Sequence, residues 1–136
     1  MPDPARVVVR RRIEWIDTDA AGIYHWTTAF RLAEVAEAAM HTALGISDIT
    51  FGALPRVAVS MRFKQALRFN DPVDVELAVS TIGRSSMVYG LTIAADGGTA
   101  AEGTLTVCFI DRSTGRAAPW PEDIRERLSS GGTLEP

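Results

Sequence analysis

The sequence is short of the residues that most often supply metal ligands, covalent staples and membrane anchors. Its 136 residues include one cysteine, Cys108, and two histidines, His25 and His41. A single cysteine excludes an internal disulfide and fits a reducing compartment. Cys108 lies in an apolar alternating run, Leu105 to Ile110, where a core role is expected rather than a nucleophilic one. No group of His, Cys and acidic residues has metal-ligand spacing, so no metal is expected. No segment approaches the roughly 18 apolar residues of a membrane span. The first dozen residues are charged and lack the apolar stretch of a cleavable signal, so the expected location is the cytoplasm. Positive charge is not in excess either: 14 Lys and Arg against 17 Asp and Glu give a net charge of −3. That balance offers nothing to nucleic acid or an anionic membrane. What is present is ordinary globular composition, 46% apolar and 23% charged, in a length that suits one domain over 1–136.

Alternation dominates the pattern. Val7, Val9, Ile13 and Trp15 alternate with Arg10, Arg12 and Glu14, the period of two that marks a half-buried strand. Four more such runs follow: Val57 to Lys64, Val73 to Ser80, Met87 to Ile93 and Leu105 to Phe109. Asp96-Gly97-Gly98 is a hairpin signal, and Asn70-Asp71-Pro72 and Gly83 punctuate the other connections. Connections this short imply antiparallel pairing, because a parallel pair needs a long crossover. One long helix is predicted over Thr28 to Leu44, with Gly45 as its C-terminal signal. Arg31, Glu34, Glu37, His41 and Thr42 fall within an arc of about 140° on it, at spacings that suit ion pairs along the helix itself. The remainder is apolar, so burial on most sides is expected. A short helix is predicted over Glu122 to Leu128, with 129–136 as a flexible tail. Strand, long helix and four antiparallel strands form an α+β pattern, that of the hotdog fold, a curved sheet of about five strands wrapped around one central helix. One helix cannot cover such a sheet, and the edge left over favours pairing with a second copy.

Between the first strand and the helix lies Asp17-Thr18-Asp19-Ala20-Ala21-Gly22. Two carboxylates on a short connection ahead of a helix can be turn and capping residues. The same place also suits chemistry, because a helix N-terminus presents unpaired N–H groups and a positive dipole.

The residues around this loop carry a resemblance. Ile13-Glu14-Trp15-Ile16-Asp17-Thr18-Asp19-Ala20-Ala21-Gly22-Ile23, followed by an aromatic stretch and Phe30-Arg31-x-x-Glu34, resembles the opening of the 4-hydroxybenzoyl-CoA thioesterase family. The likeness continues through Gly83 to Val88, Ala101-Glu102-Gly103, Val107 and Asp111, covering roughly residues 6 to 120. It implies a hotdog-fold acyl-CoA thioesterase acting as a homo-oligomer, dimer or tetramer, with active sites shared between subunits. It implies no cofactor, coenzyme A being part of the substrate. By resemblance the catalytic carboxylate is Asp19, with Asp17 and Gly22 shaping the loop. The carbonyl-polarising donor falls at the Trp26 backbone N–H, and Glu34 matches an acidic position directed toward substrate. Arg84, Ser85 and Ser86 match a turn that contacts the coenzyme A phosphates. Where some relatives have histidine this chain has Trp26, and His25, one place earlier, is assigned to substrate binding. Arg84 stands alone where the 4-hydroxybenzoyl enzyme has three cations, which leaves an acyl-carrier-protein thioesterase as an alternative. A hotdog protein that holds an acyl ligand without turnover is the non-enzymatic reading. A carboxylate in the Asp19 position can activate water as a base or attack the thioester itself, and sequence does not separate the two.

Overall fold

The computed structural model describes residues 3–136. In chain order the elements are β1 (Arg6–Arg12), a 3-10 turn (Trp15–Asp17), α1 (Thr28–Leu44), α2 (Ser47–Thr50), β2 (Arg56–Phe63), β3 (Pro72–Ile82), β4 (Ser86–Ala95), β5 (Gly98–Cys108), α3 (Glu122–Ser130) and β6 (Thr133–Leu134). The strands form a six-stranded sheet in the order β2-β5-β4-β3-β1-β6. The five long strands pair antiparallel, as short connections require. With α1 packed across it, this is the hotdog fold. The predicted tail is not loose: Thr133–Leu134 joins the sheet as β6, parallel to β1. Two further hydrogen bonds tie it in, Gly132 N to Asp3 O and Arg6 N to Gly132 O. These use the outer edge of β1, which would otherwise lack backbone partners.

Alternation translates directly into burial in the centre of the sheet. Val73, Val75, Leu77 and Val79 on β3 and Met87, Tyr89, Leu91 and Ile93 on β4 all face inward. Ala29, Leu32, Ala33, Ala36 and Met40 of α1 pack onto them. The turn before β3 behaves as its sequence suggests: Asn70 takes φ +74°, and the Asp71 carboxylate accepts from Arg68 N at 2.8 Å. Gly45 ends α1 in the left-handed region, φ +73°, and the last helix carbonyl, Leu44 O, accepts from Arg127 at 2.9 Å.

Three expectations need correction. Alternation groups Trp15 with Val7 and Ile13, yet it is 78% exposed while Ile13 is buried. The strand ends at Arg12, so the 3-10 turn breaks the period and rotates Trp15 outward against Phe69. Burial of α1 on most sides is not seen either. Its main contacts are to β1, β3, α2 and β6, and Glu34, Ala38, Thr42 and Ala43 remain exposed. Because α1 sits toward that side of the sheet, the far strand β2 has no helix above it. Val57, Val59 and Phe63 are exposed there, and one edge of β2 is unpaired among the described residues. Finally, the polar residues of α1 do not pair along the helix. Arg31 turns to the loop, and Glu37 and His41 turn to the sheet.

Candidate active site

The connection from β1 to α1 is built around Asp17, which is 3% exposed. Its carboxylate accepts from Arg31 Nε at 2.8 Å, from Arg31 Nη2 at 2.7 Å and from Glu14 N at 2.7 Å. Its backbone carbonyl accepts from His25 N at 2.6 Å and from the Thr28 hydroxyl at 3.0 Å. One residue thereby ties the 3-10 turn to the first turn of α1. The hydrogen bond with Asp17 is the foremost reason the Arg31 guanidinium is held above its ordinary pKa, partly offset by burial. The sequence alone assigns Arg31 no role in the site. The partner choice is fixed by the path of the loop, which residue spacing does not reveal.

Asp19 stands at the exposed tip. Asp19 N bonds Ile23 O, Gly22 N bonds Asp19 O, and Gly22 takes φ +78°, so the chain doubles back within five residues. Thr18 and Tyr24 bridge the base of this small loop. Asp19 Oδ1 accepts from Ala21 N at 2.8 Å. Its Oδ2 has no hydrogen-bond partner among the described residues. The side chain is therefore oriented by one backbone bond, while the other oxygen remains open to a reactant.

The start of α1 supplies the complement. His25 O accepts from Thr28 N, and Thr27 N bonds His25 Nδ1 at 3.2 Å. The Trp26 N–H, between them, has no acceptor among the described residues. It lies just ahead of the helix, where orphan donors and the dipole favour negative charge. The Trp26 ring is 59% exposed, flanked by His25 and Phe30 with ring centroids 5.7 Å away in each case. The His25 Nδ1 also meets the Thr27 hydroxyl at 2.8 Å, which places the proton of a neutral ring on Nε2.

The remaining predicted residues lie elsewhere. Glu34 is eight residues past Trp26, about 12 Å along the helix axis. It is exposed and stands 3.7 Å from Arg56 Nη2. Arg84, Ser85 and Ser86 occupy the β3–β4 turn. The chain on either side of the Asp19 loop meets the segment at the opposite end of β3, through Ile13 N to Asp71 O, Asn70 N to Ile13 O and Tyr24 N to Leu67 O. The eleven residues of β3 put about 33 Å between its ends. Asp19 and the Arg84 turn of one chain are thus at opposite ends of the sheet. That turn is braced from behind: Gly83 O accepts from Arg125 at 2.6 Å, and Arg84 O and Ser85 O accept from Trp120 N and Phe109 N.

A polar chain unmarked by any motif crosses the interior. Arg56 grips Glu37 with Nη2–Oε1 at 2.5 Å and Nη1–Oε2 at 3.1 Å. The Tyr89 hydroxyl donates to Glu37 at 2.8 Å and meets His41 Nε2 at 2.8 Å, and His41 Nδ1 meets the Thr50 hydroxyl at 2.6 Å. With Tyr89 donating to the carboxylate, a neutral His41 carries its proton on Nε2 and accepts at Nδ1 from the Thr50 hydroxyl, whose single hydrogen then turns from Ile46 O, 3.1 Å away, to the ring. Every group is satisfied with a neutral ring. Burial is the leading reason that the His41 pKa is lowered and that of Tyr89 raised well above its ordinary value.

Two cavities flank this chain. One of about 770 Å³ lies along the C-terminal half of α1, between His41, Thr50, Phe51 and Arg56. Another of about 290 Å³ lies between Phe30 and Ala33 of α1 and Val59, Met61, Leu91 and Leu105 of the sheet. Glu34 and Arg56 line both. No helix of the described residues is long and apolar enough to cross a membrane.

Comparison with known proteins agrees with this architecture. A thioesterase of Thermus thermophilus, solved in complex with coenzyme A and zinc, is 25% identical, with TM-score 0.81 over 89% of this chain and 90% of that one. A 1,4-dihydroxy-2-naphthoyl-CoA thioesterase of Synechocystis is 18% identical, with TM-score 0.80 over 90% of this chain and 95% of that one. A search of curated sequences gives no match. The sequence profile of the thioesterase-like superfamily matches residues 12–128, nearly the whole length. The chain belongs to the thioesterase-like superfamily.

Proposed function

We propose that the protein is an acyl-CoA thioesterase in which Asp19 supplies the attacking oxygen, by activating water or by direct attack, and the Trp26 N–H receives the oxyanion. The observation that carries this reading is the pairing, on one braced loop, of a carboxylate with a free oxygen and a backbone donor with no acceptor. Hydrolysis needs both, and a preorganised donor is worth about 3 kcal/mol of barrier. Membership of the superfamily supports the reaction class, and the coenzyme A complex of the Thermus relative supports the leaving group.

The separation of Asp19 from Arg84, Ser85 and Ser86 gives the site its second requirement. About 33 Å of β3 stands between them, so a phosphate-holding turn beside Asp19 has to come from another subunit. The exposed face and free edge of β2 supply a surface for such pairing. His25 and Glu34 flank the substrate path in this arrangement. Thiol release from a panel of acyl-CoAs tests the reading: Asp19→Ala and Asp19→Asn abolish turnover while the melting temperature stays near wild type. Full activity in both variants would sink the assignment.

A further inference from the structure

The bulge in β2 gives a reason for the position of Arg56. Register across β2 and β5 pairs Arg56 with Val107, but Ala58 with Thr106 and Val59 with Leu105. Val57 is therefore an extra residue, and Arg56 falls on the same face as Val59, the inner face marked by buried Val107 and Leu105. Strict alternation would have turned Arg56 outward; a bulge re-aims a side chain in this way. An arginine is thus delivered to the gap between β2 and α1, where Glu37 holds it at both nitrogens. Glu37 is itself anchored by Tyr89, and Tyr89 by His41 and Thr50.

This clamp stands where the two cavities meet. Phe30, Glu34, Glu37 and His41 follow one stripe of α1 at spacings of four, three and four residues. The smaller cavity lies under the first part of that stripe, starting one turn beyond Trp26, and the larger lies under the last part. Resting on the thioesterase reading, we propose that the smaller cavity is the acyl chamber and that Arg56, held in place by Glu37, is its end wall. Its apolar lining of Phe30, Ala33, Val59, Met61, Leu91 and Leu105 suits hydrocarbon. Its volume, about 290 Å³, is at the bottom of the range of small-molecule sites. The acyl groups that fit this volume are medium-length aliphatic or ring-containing ones. A longer chain would have to displace a guanidinium from a bidentate carboxylate in a half-buried setting, which apolar contact does not compensate.

The test measures binding as well as turnover. Straight-chain carboxylates from butyrate to dodecanoate, the product acids without coenzyme A, are titrated by calorimetry into wild type and Arg56→Ala. Wild-type affinity is expected to rise with the first methylenes and then collapse for the long acids. Arg56→Ala removes the collapse, improving dodecanoate affinity about tenfold or more, the value of roughly two methylenes transferred from water. Butyrate shifts far less. If Arg56→Ala does not fold, Glu37→Gln, which weakens the clamp isosterically, is expected to move the profile in the same direction. A folded variant with an unchanged length profile overturns the proposal, and so does the absence of binding by every acid to both proteins. Failure of the thioesterase reading looks different: no thiol is released from any acyl-CoA, while the length dependence of binding still changes with Arg56.

Discussion

Replacing either member of the Asp17–Arg31 pair separates a stability effect from a catalytic one. Asp17→Ala deletes three hydrogen bonds to a carboxylate, two of them from one guanidinium fork. Breaking a buried ion pair by removing one partner costs about 3–5 kcal/mol. Here the Arg31 side chain is 38% exposed against 3% for Asp17, so the surviving guanidinium regains water and the cost falls at the low end, about 3 kcal/mol. For a chain of this length that is about 10 °C of melting temperature. Arg31→Ala is expected to be at least as damaging, because it leaves the carboxylate buried with only the Glu14 N–H. The double variant should then be no worse than Arg31→Ala alone, with a coupling of about 3 kcal/mol, the whole cost of Asp17→Ala. Urea melts of the four proteins measure the cycle. Steady-state kinetics at a temperature where all are folded should show kcat reduced in each variant, because the loop carrying Asp19 loses its brace to α1. Additive destabilisation, or unchanged kcat in a folded Asp17→Ala, would refute the reasoning.

Other perturbations have equally definite outcomes. Gly103→Ala would place a Cβ 1.9 Å from Ser60 O and 2.9 Å from Met61 Cα, so β2 must move off β5; a loss of about 3 kcal/mol or more is expected in chemical melts. The His41 pKa lies below its ordinary value near 6.5, chiefly from burial, with Glu37 opposing and Arg56 reinforcing the shift, and with Tyr89 as its neutral neighbour. The unfolded chain then binds more protons as pH falls below about 6.5. The stability from this group is complete above that pH, declines through the window down to the folded-state pKa and is level beneath it. Urea midpoints across pH should lose this component in His41→Gln; an unchanged pH slope would count against a neutral buried ring. Mixed oligomers test shared sites: Asp19→Ala and Arg84→Glu chains, each impaired alone, should recover thiol release after being unfolded and refolded together, and no recovery would argue for sites completed within one chain.

The central sheet was readable from the sequence because β3 and β4 are buried on one face, so their alternation is clean, and because their turns carry residues suited to unusual backbone angles, as at Asn70 and Gly97. The loop at Asp17 was readable as a location, but its wiring was not. Arg31 is 14 residues from Asp17, and nothing in the spacing distinguishes that partner from Glu34 or Glu37 on the same helix. The pairing of Glu37 with Arg56 and Tyr89 was hidden for a similar reason: it joins a helix to two strands and depends on a bulge. Trp15 is misplaced by the pattern because a period of two continues on paper for three residues after the strand has ended. The thin cover over β2 could be anticipated in general, since one helix cannot span six strands. Which strand is left bare depends on where α1 sits, and that is set by packing.

The extra residue at Val57 also bears on how such a protein could diverge. Deleting one codon there would restore regular alternation in β2 while leaving Arg56 opposite Val107 on the inner face, so Glu37 would keep its cation. The clamp would then be insensitive to a reading-frame-preserving deletion in a strand that the core barely touches, and would change only through exchange of Arg56 or Glu37 themselves. A protein with or without the extra residue would keep the same clamp and the same Asp19 loop, and one side-chain exchange at position 56 or 37 would be the unit of change.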